Sequence, residues 1–168
     1  MKILAHRANL NGPGSGDNRP ESIRACLERG VGVEVDVLGV NGELWFGHDR
    51  PERRADVELL ARAGVMCHAK DIQAASILRS LPVSFFCLGR DEFALCSNGL
   101  IWSNYGCMPT AASIMCSPEL VGAPESIEEF YPRVATAYGV CTDHPLTYVK
   151  LLGREALNGI LLESSPDW

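Results

Sequence analysis

An α/β fold is expected for this chain, in the form of a compact (β/α) barrel of the TIM type. An incomplete barrel and an open parallel α/β sheet are the alternatives. Three observations predict it. Short apolar runs of strand character alternate with short helical segments, the order that gives parallel strands joined by crossovers. Polar residues able to do chemistry fall at or near the ends of those runs, where a barrel gathers its function. No G-x-G-x-x-G loop follows the first strand, so the nucleotide-binding form of the open sheet is disfavoured. The 168 residues read as one domain, 1–168, which is short for such a barrel.

Lys2 to His6 reads as a short apolar strand ending on His6-Arg7. Ala8 to Arg19 is a loop rich in turn formers. Pro20-Glu21-Ser22 opens a helix to about Arg29, with Gly30 as its C-terminal cap. A strand from Val31 meets the two-residue turn Asn41-Gly42, and the chain returns through Glu43 to Gly47 to deliver His48-Asp49. A charged loop, Arg50 to Arg54, leads to a helix from about Ala55 to Ala63, ended by Gly64. Val65 to Lys70 is a strand, and Asp71 caps a helix over Ile72 to Ser80. Pro82 to Leu88 is a strand, and Gly89-Arg90-Asp91 starts a helix to about Cys96. Leu100 to Ser103 and Ser113 to Cys116 are strands. Pro124-Glu125-Ser126 opens a helix through about Ala137. Tyr138 to Thr142 is a strand running into Asp143-His144-Pro145, and a helix over Leu146 to Leu152 follows. Gly159 to Leu162 is a last strand or a packed end.

The composition, 46% hydrophobic and 21% charged, is that of a globular protein. A net charge of −6 argues against a nucleic-acid partner, which calls for a basic patch. No apolar run approaches membrane-spanning length, and too few residues precede His6 for a signal peptide. The 7 cysteines form no C-x-x-C and include strand positions, so buried, reduced thiols are expected rather than a zinc site. A cytoplasmic protein is expected.

The stretch from Val31 to Asp49 carries the main chemical signal. Side chains change face at every residue of a strand. Val33, Val35 and Val37 therefore share one face, and Glu34 and Asp36 share the other, roughly 7 Å apart along the chain. Two acids on an interior face repel and are costly to bury. A divalent cation, which takes carboxylate oxygens, is the common relief. The other reading is an edge strand with both acids in water. His68 and Lys70 repeat the pattern on one face of a later strand. Taken singly, a histidine at a strand end is usually structural, Lys70 a surface residue and Asp143 a turn or cap residue. Their joint placement on one rim with His6, Arg7, Glu34, Asp36 and His48 is what singles them out.

The ordered segments Ala5-His6-Arg7, Arg19-Pro20-Glu21-Ser22, Val33-Glu34-Val35-Asp36-Val37, Asn41 to Asp49, His68-Ala69-Lys70 and Gly139 to Pro145 resemble the glycerophosphodiester phosphodiesterases. The resemblance covers residues 3 to 49, 65 to 70 and 139 to 145; the middle of the chain shares only the strand–helix rhythm. It implies a metal-dependent barrel hydrolysing glycerophosphodiesters or related small phosphodiesters. His6 and His48 match the acid–base pair, Glu34 and Asp36 two metal ligands, Arg7 and Lys70 phosphate contacts, and Glu21 a supporting residue. One divalent ion is implied, Mg2+ first, with Ca2+ or a transition metal as alternatives. Three departures stand out: Ala8 replaces a glycine after His-Arg, His68 replaces an acidic ligand, and the insert that relatives carry after His-Asp is missing. A non-catalytic module that binds phosphoesters on the same scaffold is the alternative function.

Overall fold

The computed structural model describes residues 1–14, 16–116, 119, 122 and 125–162, the segment 154–162 as backbone alone. Ten strands form one sheet: β1 (Lys2–Ala5), β2 (Gly32–Val40), β3 (Glu43–Phe46), β4 (Arg53–Arg54), β5 (Val65–Ala69), β6 (Ser84–Phe86), β7 (Phe93–Leu95), β8 (Ile101–Asn104), β9 (Ser113–Cys116) and β10 (Gly139–Thr142). The helices are α1 (Pro20–Leu27), α2 (Val57–Leu60), α3 (Ile72–Leu78), α4 (Ile127–Val134) and α5 (Pro145–Leu162).

Strands β6, β5, β2, β1, β10, β9 and β8 run parallel in that order. Antiparallel β7 pairs with β8, and the hairpin strand β3 covers the far half of β2. Local sequence explains most of the boundaries. Pro20 sits in the first turn of α1, and Gly30 follows it at φ 70°. Asn41 and Gly42 both have positive φ, as a type I′ hairpin turn requires. Asp71 accepts from Ala74 N–H at 2.7 Å and starts α3.

The helices pack on one face of the sheet. Val33, Val35 and Val37 share a buried cluster with Ile23, Cys26, Leu60, Ala74, Leu78, Val134 and Tyr148. The other face curls on itself. Leu4, Met66, Phe86, Trp102, Ile114 and Cys141, from six strands, fill a second buried cluster. Phe86 stacks on Trp102 at 4.1 Å although β6 and β8 end the parallel run on opposite sides. A flat sheet could not bring them together. The seam between those ends is made by Ser97: its N–H donates to Phe85 O at 2.8 Å, and its Oγ accepts from Phe85 N–H at 2.9 Å.

Several expectations are corrected. The segment expected as a helix to Cys96 is strand β7. Asn98-Gly99 is a turn signal of the same kind as Asn41-Gly42, and with Gly99 at φ 86° it folds Phe93–Leu95 back onto β8. Residues 159–162 are helical and belong to α5, which breaks at Gly153 (φ 75°, ψ 172°). The expected helix over Ala55 to Ala63 is the single turn α2, capped by Asp56. Within the charged loop, Arg53–Arg54 pairs with β3. Pro124 lies outside the described residues, and α4 begins at Ile127 with Ser126 and Glu129 as a reciprocal capping box. None of the seven cysteines is in a disulfide, but Cys87 is exposed.

Close packing of α3 on β2 needs Gly39. A Cβ there would lie 2.5 Å from the Ala74 nitrogen, and Asp71 Oδ2 accepts from Gly39 N–H at 3.1 Å. Gly39→Ala is expected to cost about 1–3 kcal/mol of stability through overpacking, read by urea denaturation. A loss below measurement error would mean that α3 slides freely.

Candidate functional site

The two acids of β2 point into the curled face, and each is only 1% exposed. Parallel pairing with β5 sets Asp36 beside His68. Nδ1 of His68 lies 3.3 Å from Asp36 Oδ1 and 3.7 Å from Glu34 Oε1. One ligand atom from each of Glu34, Asp36 and His68 falls within 4.8 Å of the others, so the three could hold a metal ion. The donor set fits a dication. Asp36 Oδ1 is buried and accepts no close hydrogen bond, its nearest polar neighbours being His68 Nδ1 at 3.3 Å and Lys70 Nζ at 3.5 Å, which leaves it lone-pair capacity for an ion.

The end of β1 supplies the next residues. His6–Ala8 is a 3-10 turn in which Arg7 (φ 51°) and Ala8 (φ 60°) take left-handed conformations that cost non-glycine residues energy. Ala8 thus keeps a backbone shape that suits glycine. The turn aims Arg7 N–H at Glu34 Oε2 (3.1 Å) and brings Arg7 Nε to 3.2 Å from Asp36 Oδ2. Lys70 Nζ stands 3.5 Å from Asp36 Oδ1. Pairing of β1 with β10 matches Ala5 to Thr142, so the next residues, His6 and Asp143, also meet. His6 Nδ1 donates to Asp143 Oδ1 at 2.8 Å, and its Nε2 is 3.9 Å from Glu34 Oε2.

Charge divides the two acids. Burial alone would raise Asp36, but the His68 ring, Lys70, Asn18 and Arg7 outweigh it and hold this carboxyl well below the usual range. Glu34 moves the other way, raised by burial and by the neighbouring Asp36 charge, with His6 and His68 opposing. Burial would lower His6, yet the hydrogen bond to Asp143 and the charge of Glu34 raise it to about 9. Glu34 and His6 therefore both hold protons more tightly than usual while the centre is metal-free.

Six of the residues singled out from sequence thus converge: His6, Arg7, Glu34, Asp36, His68 and Lys70. His48 stands further out. Its side chain is 37% exposed, Nδ1 donates to Asp49 Oδ1 at 2.7 Å, and it shares with Arg7, Asp17, Asn18, Arg50 and Glu52 a pocket of about 400 Å³. Gly47 shapes that bend: at φ 145°, a Cβ would sit 2.0 Å from Arg50 O. Glu21 is exposed in the first turn of α1, and among the described residues no hydrogen bond or ion pair ties it to the site.

One residue escapes the sequence reading, and a second lies on the expected rim with no role assigned to it. Asn18, buried at φ 54°, receives Asp36 N–H at 2.8 Å on its Oδ1 and donates from Nδ2 to Asp36 Oδ2 at 3.1 Å. It takes the supporting role assigned to Glu21, and a loop asparagine among other turn formers gives no sign of it. Asp143, read as a turn or cap residue, is 2% exposed and orients His6. Matching the ends of the first and last parallel strands gives it that role. Among the described residues, no helix is long and apolar enough to cross a membrane. No family model, no curated protein and no solved structure matches the chain.

Proposed function

We propose that the chain is a metal-dependent phosphodiesterase of the glycerophosphodiester phosphodiesterase type, built on a TIM-type barrel and acting on glycerophosphodiesters or similar small diesters. The convergence of Glu34, Asp36 and His68 with the His6–Asp143 pair carries this reading. The curled sheet, with the described helix residues packed on one face, supports the barrel. Glu34, Asp36 and His68 would hold the ion. When bound, it would neutralise the two acids and stabilise charge growing on the non-bridging phosphate oxygens.

The remaining steps belong to the chain. Arg7 stands between the acids and the pocket and orients the phosphate, with Lys70 on the opposite side of Asp36. His6, held in orientation through Nδ1 by Asp143, whose hydrogen bond raises its proton affinity, gives its proton from Nε2 to the departing alkoxide. His48, on the pocket wall and aligned by Asp49, takes a proton from the attacking water, whose oxygen forms the new bond to phosphorus as the alkoxide leaves. The test is hydrolysis of glycerophosphocholine and of bis(p-nitrophenyl) phosphate by the full chain. Turnover should vanish with a chelator, return with added divalent ion, and fall in His48→Ala by about 10²–10⁴-fold. Full activity in that variant removes His48 from the mechanism. Calorimetric binding of the phosphoester without turnover, under several metals, would return the non-catalytic alternative.

A further inference from the structure

We propose that the centre is built for a borderline transition-metal dication, of the Mn2+, Fe2+, Co2+ or Zn2+ class, rather than for Mg2+, and that His68 Nδ1 is the ligand that selects it. The inference rests on the metal centre of the proposed function and goes beyond it in naming the ion class and the selecting atom.

Three observations on His68 carry it. The first is its tautomer. His68 Nε2 lies 3.4 Å from Leu88 O. A carbonyl can only accept, so Nε2 carries a hydrogen, and a ring that binds an ion here does so through the Nδ1 lone pair. That lone pair faces Asp36 Oδ1 and Glu34 Oε1. A ligating histidine whose second nitrogen donates to a backbone carbonyl is held in its binding tautomer. The second is orientation. The ring stacks on Phe86 at 4.5 Å and 16°, and Phe86 stacks in turn on Trp102 at 4.1 Å and 14°. Three planes from three strands fix the imidazole, which suits a ligand more than a mobile acid or base. The third is convergence: His68 Nδ1 lies 3.3 Å from the buried Asp36 Oδ1 and 3.7 Å from Glu34 Oε1, and one ligand atom from each of the three residues falls within 4.8 Å of the others. Three donors gathered on one point are what the ligands of one ion look like without it.

The chemistry follows from the donor set. Mg2+ and Ca2+ favour oxygen ligands alone, and an imidazole in place of an acid removes a charge that they depend on. Imidazole nitrogen suits Mn2+ through Zn2+, with affinity rising from Mn2+ to Co2+. Two carboxylates and one imidazole make such a site, with coordination positions left for water or substrate.

The test uses the metal-stripped full chain and reads binding rather than turnover. Calorimetric titration with Co2+, Mn2+ and Mg2+ should give Co2+ at least about tenfold tighter than Mg2+. Pulsed electron paramagnetic resonance of bound Mn2+ should show coupling to an imidazole nitrogen. That coupling should disappear in His68→Gln and persist in His6→Gln. His68→Asp should reverse the preference towards Mg2+. Equal affinity for Mg2+ and Co2+, no nitrogen coupling in the unaltered chain, coupling that survives His68→Gln, or no bound ion at all would each overturn the proposal. The measurements on the unaltered chain decide it even where a variant fails to fold. A chain that holds Co2+ through His68 but cleaves no diester keeps this inference and loses the proposed reaction. A chain that cleaves diesters with Mg2+ and without His68 ligation does the reverse.

Discussion

Asp36→Ala is expected to destabilise the protein by about 2–4 kcal/mol and to abolish metal binding. Removing one partner of a buried ion pair commonly costs 3–5 kcal/mol, because the other charge is left without compensation. The lower figure applies here because the Arg7 and Lys70 side chains keep 27% and 17% exposure and reach some water. Asn18 would also lose its Nδ2 bond to the carboxylate, while the bond from the backbone N–H of residue 36 remains. Glu34→Gln should behave differently. Glu34 is raised by burial and by its acidic neighbour, so an amide relieves repulsion and the metal-free protein should be as stable as before, or more so. Ion affinity should still fall. Urea denaturation with calorimetric titration checks both variants. A loss below about 1 kcal/mol in Asp36→Ala would show that Asp36 is not the hub of the site.

His6→Ala should lower diester hydrolysis by about 10²–10⁴-fold while leaving metal binding intact, since His6 touches the centre only through Glu34 at 3.9 Å. Asp143→Asn should act through His6: the ring loses its charged partner, and the proton-donor limb of the pH–rate profile should shift to lower pH. Stability carries the same signature. The folded-state pKa of His6 is raised from 6.5 to about 9, so protonation favours the fold. The contribution is fully present below pH 6.5 and is lost as pH rises through 9. For the metal-free protein that is a loss on the order of 3 kcal/mol, and it should be absent from His6→Ala. Parallel pH-stability curves for the two proteins would exclude the His6–Asp143 pair as the cause.

The sequence makes the central strand legible because its two faces carry opposite chemistry. Valines at 33, 35 and 37 pack under helices, and acids at 34 and 36 enter the curled face, as alternation requires. His68 and Lys70 follow by the same rule. Pairing between distant strands is what a local pattern leaves out. The register that joins Asp143 to His6 spans nearly the whole chain. Asn18 reaches Asp36 only because it takes a left-handed backbone. Strand β7 is legible in principle, since Asn98-Gly99 is a hairpin signal. Gly89-Arg90-Asp91 offers a competing helix start, and only pairing with β8 decides between them.

The Ser97 seam bears on how still the metal centre can be. Two residues, Ser97 and Asn98, lace β6 to the far end of the sheet, where neighbouring strands are joined by continuous ladders. Few bonds must break together for this wall to breathe, so the amides of Phe85 and Ser97 should exchange with heavy water well before those of β1, β2 and β10. Phe86 and Trp102 lie just inside it, and their rings wedge His68. Each opening of the wall would free that imidazole to turn, tying the grip on the ion to the fraying of a few bonds at the far end of the ring stack.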